Sequence, residues 1–548
     1  MYKLFSNRLK FVIAVAMISL VTFSCSDFLQ IEPTSQISDK TLWNSTDNAD
    51  LFLNDIYSGL PGPFNTHDPK ENWSDNSMSA HSWGFSTTTI AKAAYTSENA
   101  PNEWGHYSNI RKTNLFISKV NESSLSEDWK KQRLGEARFL RAYYYMLLWT
   151  HYGGVPIITD VLNQQEQGEE IFKARNTAEE TYQFIVTELG EIVNNLPLEA
   201  EEGRVTRGSA LTLKGWCELY WASPLYNENN EQSRWEEAAS TYKRVMDLGV
   251  YELFPDYNGQ FMEDNNFNSE TIFAKTYVGG TGLGGSREGL QGVWKVDGNQ
   301  YAWSGVDPTQ ELVDSYYMSN GLSIDHPESG YDPQNPYEDR SERFYQSIIY
   351  DGSEWLGHEI IMKQGVGSDN ATDLGAVNEA TNTGYYYRKG LHPEYAVNGP
   401  NQLSSANFII FRYAEVLLGY AEAYNEAFGP DLSVYNAINQ VRDRVNLPPL
   451  QNEMNREEMR EAIHQERRVE LALEGKRYFD LLRLKQAEEK LNGHLHAMVI
   501  EQENGSWIYN VVPATDGSVT FHPEKNYVFP IPQNAMDRNQ KLEQNPGY

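Results

Sequence analysis

The chain of 548 residues holds only two cysteines, Cys25 and Cys217, so no framework of disulfides supports it. Basic residues are also scarce, 45 Lys and Arg against 76 Asp and Glu, for a net charge of −31. A surface so acidic repels phosphate backbones, which argues against nucleic acid as a partner. No apolar run reaches the roughly 20 residues that span a bilayer as a helix. Nor does the sequence contain H-E-x-x-H, G-x-S-x-G or a cysteine pair suited to zinc. Gly280 to Gly285 satisfies G-x-G-x-x-G after a strand-like stretch, Thr271 to Val278. No helical pattern begins at Gly285, so the motif reads as a loop and no cofactor is expected.

What the chain has in quantity is aromatic side chains, 34 Tyr and 13 Trp among them. With 40% hydrophobic residues it can bury a real core, as several domains or as one large one. Its first 24 residues carry Lys3, Arg8 and Lys10 ahead of an uncharged run from Phe11 to Phe23, the layout of an export signal. The small residue Ser24 followed by Cys25 resembles a bacterial lipobox, with Thr22 where Leu is usual. Residues 1–24 are therefore expected to be a lipoprotein signal peptide, with Cys25 lipidated. Cys217, inside the helix-like run Leu211 to Trp221, is expected in the core.

Periodicity divides the remainder. From residues 38 to 250 apolar positions recur by threes and fours, as at Leu134, Ala137, Leu140, Tyr144 and Leu147. Thr177 with Glu180, and Ser233 with Glu236, read as capping boxes opening helices. Between 251 and 405 Gly, Asn, Asp and Pro multiply and helical periodicity fades. Helices return over 406–491, and the stretch after Leu491 reads as irregular. Paired helices with short turns give a mostly α expectation: a degenerate tetratricopeptide-like helical-hairpin scaffold carrying a large loop-rich region. Glu466, Glu470 and Glu474 lie one turn apart, a repulsive arrangement that Arg467, Arg468, Lys476 and Arg477 could relieve as a structural ion network. His494 and His496 alternate as on one face of a strand; without a partner motif a metal is not expected.

Gly135 to Tyr145, followed by Tyr152-Gly153-Gly154-Val155-Pro156, resembles the SusD/RagB family of surface glycan-binding lipoproteins. Pro308 to Tyr316, Asn335 to Arg340 with Arg343-Phe344, Glu466 to Leu471 with Gly475 to Asp480, and the ending Phe529 to Pro532 through Gln544 to Tyr548 are similar to the family's later segments. Leu484 departs from the Trp frequent there, a change expected to affect packing only. The resemblance implies one SusD-like domain over 25–548. It also implies a non-enzymatic, lipid-anchored outer-membrane protein that captures oligosaccharides or polysaccharides for a SusC-like TonB-dependent transporter. The opposing reading is a glycoside hydrolase, whose chemistry needs two carboxylates about 5 to 9 Å apart; the sequence places no such pair.

Aromatic residues in loop-like, polar stretches are the binding candidates, since a ring suits a sugar's C–H face and Asp or Asn suits its hydroxyl rim. They are Trp73 and Trp83 with Asp75 and Asn76 between them, then Trp294, Tyr301 and Trp303, and a third cluster of Tyr331, Tyr337 and Trp355. The first two groups are expected to converge on one glycan surface. The alternative is that such rings plug the loops onto the helical core.

Overall fold

The structure, a computed structural model, describes residues 42–548 apart from 64–65, 67, 279–284, 297, 366–379, 400 and 402. The signal segment and Cys25 lie outside the described residues, as does most of the glycine motif at 280–285. Among the described residues no helix is long and apolar enough to cross a membrane.

The helical scaffold consists of α1 (Thr46–Ser58), α2 (His106–Glu122), α3 (Glu127–Tyr152), α4 (Ala178–Ile192), α5 (Arg207–Ala222), α6 (Gln232–Met246), α7 (Tyr413–Phe428), α8 (Leu432–Asp443), α9 (Arg456–Glu470) and α10 (Arg477–Arg483). Each of the first seven packs on the next, and α7 then packs on both α8 and α9. This stacking of sequential hairpins is the tetratricopeptide-like scaffold the periodicity predicts. α3 is buried on every side from Gly135 onward, except at Arg138, because Ala137, Phe139, Leu140 and Tyr143–Tyr145 leave it no polar face. It ends at Gly153, whose φ of +71° a side chain would resist, and at Gly154, where an added Cβ would lie 2.0 Å from the Asn176 carbonyl.

Thr177 and Glu180 form the reciprocal cap expected at the start of α4. The one expected at Ser233 is absent. α6 starts two residues earlier than that cap would place it, at Gln232, where Asn227 accepts a hydrogen bond from the Glu231 N–H at 2.7 Å and fixes the entry. Cys217 is buried, as expected.

The stack continues across the long excursion between α6 and α7. The Tyr242 ring lies between Gly215 of α5 and Gly419 of α7; a Cβ at Gly419 would meet it at 2.6 Å and one at Gly215 at 3.2 Å. The two glycines let three helices share one ring.

Short strands decorate this scaffold: β1 (Ser77–Met78), β2 (Thr271–Lys275), β3 (Lys295–Val296), β4 (Asn299–Gln300), β5 (Asp307–Pro308), β6 (Phe408–Arg412), and the long β7 (Gly493–Glu503) and β8 (Ser506–Val519). All pair antiparallel in twos: β1 with β5, β2 with β6, β3 with β4 and β7 with β8. The β7–β8 hairpin replaces the irregular ending expected after Leu491. Its turn is Asn504-Gly505, both residues left-handed, which suits the tight hairpin connection.

The loop-rich region has its own core. Tyr257, Tyr316, Phe344, Ile348, Tyr385 and Tyr386 are buried together, closed on one side by Met498 and Ile500 of β7. The join between halves is ionic. Glu466 binds Arg343 and, at 2.9 Å, Arg442; Glu470 binds Arg444 and, at 2.6 Å, Arg412; Glu474 binds Lys389 and Arg412, each at 2.6 Å. Burial alone would raise the Glu470 carboxyl, but the guanidiniums of Arg444, Arg412 and Arg343 hold it well below the usual range. The glutamate row is thus a structural network. Its partners come from elsewhere in the chain, not from the adjacent Arg467, Arg468, Lys476 and Arg477.

Candidate functional site: an aromatic loop surface

Two segments far apart in sequence run side by side. Ser77 faces Pro308 and Met78 faces Asp307, and further along the Ala80 N–H donates to the Ser304 carbonyl at 3.2 Å. Asn72 donates to the Gly305 carbonyl at 2.8 Å, and the Thr309 hydroxyl donates to the Asp75 carbonyl at 2.6 Å. Asn382 adds a third strand of chain by donating to the Ala80 carbonyl at 3.1 Å.

This pairing carries Trp83, three residues beyond Ala80, toward the segment of Trp303, next to Ser304. Trp83 is 62% exposed, and its ring stacks on the buried His81 ring at 4.7 Å with 25° between planes. The stack holds one face of the indole while leaving the side chain open to solvent. Trp294, Tyr301 and Trp303 are half-buried around the β3–β4 hairpin, where the Tyr301 N–H bonds the Trp294 carbonyl at 2.9 Å. Such rings are supported from below and can present an edge or face to a ligand. Phe85, 37% exposed, borders Trp83.

Five of the residues singled out from the sequence lie elsewhere. Trp73 is 8% exposed and packs edge-on against Tyr478 at 5.5 Å and Phe529 at 5.7 Å. Its polar neighbours in sequence disguise a core residue. Asp75 is buried between Arg477, at 2.8 Å, and Arg468, at 3.0 Å. Burial would raise its carboxyl, yet the two guanidiniums, Arg468 foremost, pull it well below the usual range. Asn76 accepts from Arg468 at 3.0 Å and donates to the buried Glu71 at 3.1 Å. Asp75 and Asn76 are therefore the clasp that holds the loop onto the late helices, not a sugar rim. Trp355 is 4% exposed in a short hairpin of the second core, with Arg388 over its ring at 5.9 Å. Tyr337 is likewise buried there, stacked on Phe344.

The sequence reading missed Asp307. It is fully buried within β5, facing Met78, and accepts from the Ser304 hydroxyl at 2.6 Å and the Asn382 N–H at 3.3 Å. Burial pushes its carboxyl up to about 8, the hydrogen bonds offsetting part of the rise. His496 is on a strand, as its spacing implies, and its Nδ1 pairs with Glu311 at 2.6 Å.

A profile described as the SusD family matches residues 269–548. The chain belongs to the SusD family. Residues 27–213 match a second profile of the group, described as starch-binding and associating with the outer membrane. Among relatives, SusD-like protein P38 of Formosa agariphila is 25% identical over 499 residues, covering 85% of this chain and 89% of its own. Two solved SusD-like structures from Bacteroides fragilis NCTC 9343 are each 28% identical. One has a TM-score of 0.79 and covers 94% of this chain and 100% of its own. The other, titled a SusD-like carbohydrate binding protein, has a TM-score of 0.76 and covers 92% and 100%. The motifs that carry the SusD resemblance act as scaffold in the structure: Arg138 and Arg141 bind Glu188 at 2.6 and 2.5 Å, and Asn545 near the end donates to the Tyr152 carbonyl at 3.1 Å.

Proposed function

We propose that this SusD-family protein captures oligosaccharides on the surface formed by Trp83, Trp294, Tyr301 and Trp303, without cleaving them. The observation that carries this reading is the Ala80–Ser304 pairing, which brings an exposed indole beside a second ring-bearing segment. Partly open rings suit the C–H faces of sugar units. Family membership supports glycan binding, and a solved relative is titled a carbohydrate binding protein. The carboxylate that stood between the first two tryptophans in sequence is held by two guanidiniums, which leaves it no proton to donate in hydrolysis.

Anchoring by lipid at Cys25, surface exposure, and delivery of the glycan to a SusC-like TonB-dependent transporter complete the proposal. Calorimetry against a panel of oligosaccharides tests it, with Trp83→Ala and Trp303→Ala compared with the wild type. Loss of binding at unchanged melting temperature is expected. Sustained release of reducing ends from any polysaccharide bound would refute the non-catalytic reading, and affinity unaffected in both variants would refute the site.

A further inference from the structure

A cavity of about 400 Å³ lies where the helical scaffold meets the loop-rich core, apart from the exposed rings. Met146 and Thr150 of α3, Trp216 of α5, Phe411 of β6 and Val306 are among the residues that line it. An apolar cavity of about 150 Å³ is already enough to hold benzene, and ligand sites typically measure about 300 to 1,000 Å³ with mostly apolar linings and few polar groups. This one fits that description in size and in kind.

Its charged groups are of both signs. The carboxylates in the wall are already occupied: Glu71 accepts from the N–H groups of Leu473 and Gly475 at 3.1 and 2.7 Å, Asp68 from the Ser86 N–H at 2.7 Å, and Glu474 from Lys389 and Arg412. Lys70 is different. Its ammonium donates to Glu103 at 2.6 Å and meets Nε2 of His151 at 3.0 Å. His151 is buried and its Nδ1 lies 2.7 Å from the Leu147 carbonyl, so Nδ1 carries the proton and Nε2 accepts. Burial first, and then Lys70, push His151 down to about 3, so it stays neutral. An ammonium has three donors, and two are used, which leaves Lys70 one N–H at the cavity wall. Lys476 likewise spends two, on the Ile410 carbonyl at 2.8 Å and on Glu415 at 2.9 Å.

We infer that this cavity binds a small planar aromatic carboxylate, its ring against the aromatic lining that includes Trp216 and Phe411 and its carboxylate on Lys70. A planar ring matches aromatic walls, and an acceptor-bearing end matches donors that lack a protein partner. The site is independent of the glycan surface and of the reading given for it.

The test titrates the purified protein with trans-cinnamate, following tryptophan fluorescence and heat, with cinnamyl alcohol as the uncharged counterpart. Saturable binding of cinnamate is expected, tighter than the alcohol. Lys70→Met should weaken cinnamate roughly tenfold while leaving the alcohol unchanged. Met146→Trp and Val306→Trp, which place a larger side chain at two lining positions, should abolish binding of both while keeping a cooperative melting transition, lowered by the overpacking of a buried position. Trp83→Ala should change neither. No saturable signal up to about 5 mM, an affinity weaker than about −3 kcal/mol, would overturn the inference. So would binding that survives both filling variants or that falls with Trp83→Ala. Should Lys70→Met fail to fold, the two filling variants still decide the matter.

Discussion

Ala80 and Ser304, 224 positions apart by their numbers, share a backbone hydrogen bond of 3.2 Å, which joins the segment that carries Trp83 to the one that carries Trp303. Neither segment is a regular strand at that point. Asn72 and Asn382 hold the contact by donating to backbone carbonyls of other segments, Gly305 and Ala80, while Asp307 braces its own segment by accepting from the Ser304 hydroxyl.

Removing a ring from this surface should be felt in binding and not in folding. By analogy with ring–base stacking, Trp83→Ala is expected to cost about 1–3 kcal/mol of glycan affinity, or one to two orders of magnitude. The contrast is Trp355→Ala, which leaves a void in the second core and should lower stability by about 3–5 kcal/mol. Calorimetry with thermal unfolding separates the two, and a Trp83 variant that melts like the Trp355 variant would contradict the assignment.

The clasp can be opened on its own. Asp75→Ala strands Arg468 and Arg477 in a buried site, for an expected loss of about 3–5 kcal/mol. Denaturant unfolding measures it. A loss under about 1 kcal/mol, the range of exposed pairs, would mean the pair is open to solvent.

Asp307 couples stability to pH. Its folded carboxyl titrates near 8, above its ordinary value of 3.8. Between those limits the native state keeps a proton that the unfolded state releases. The stability it confers is therefore full below the unfolded value, declines as pH rises, and is lost once pH passes the folded value. Asp307→Asn cannot titrate, so the stability difference between variant and wild type should shift in the variant's favour from about pH 5 to about pH 8.5. A difference that stays flat over that range would show that the buried acid does not titrate there.

The shared ring between helices gives a packing test. Gly419→Ala places a methyl group 2.6 Å from Tyr242 and should cost about 1–3 kcal/mol, with a smaller effect for Gly215→Ala, whose contact is 3.2 Å. Tyr242→Phe removes a buried hydroxyl that has no hydrogen-bond partner and should be neutral or stabilising. Chemical denaturation of the three variants gives the order, and equal costs for both glycines would refute the geometry.

The helical scaffold was legible because its signals are local. Spacings of three and four, the Thr177–Glu180 cap and the glycines after Tyr152 all act within a few residues. The glutamate row was also read as structural, although its true partners Arg343, Arg412, Arg442 and Arg444 come from distant segments. The aromatic site was half legible. Polar neighbours mark a loop, but they do not tell a ring that faces water from one that plugs a core. Trp73 and Trp83 sit in equally polar sequence and end at 8% and 62% exposure. That difference is set by Tyr478 and Phe529, hundreds of positions away. The terminal hairpin had a local sign, Asn504-Gly505, between strands whose outward residues are too polar to stand out as a stripe.

The packing of α6 on α7 also bears on how the chain is made. Ala238, Tyr242 and Val245 of α6 are buried in the finished protein, α7 supplying one of the flanking surfaces. During synthesis or export the whole stretch from Asp247 to Arg412 must emerge before that neighbour exists. Until then the last helix of the first half presents an apolar face with nothing to cover it, and closing the intervening loop carries an entropic cost before any contact rewards it. The long loop-rich excursion thus delays assembly, and a partly emerged chain is the form most exposed to aggregation.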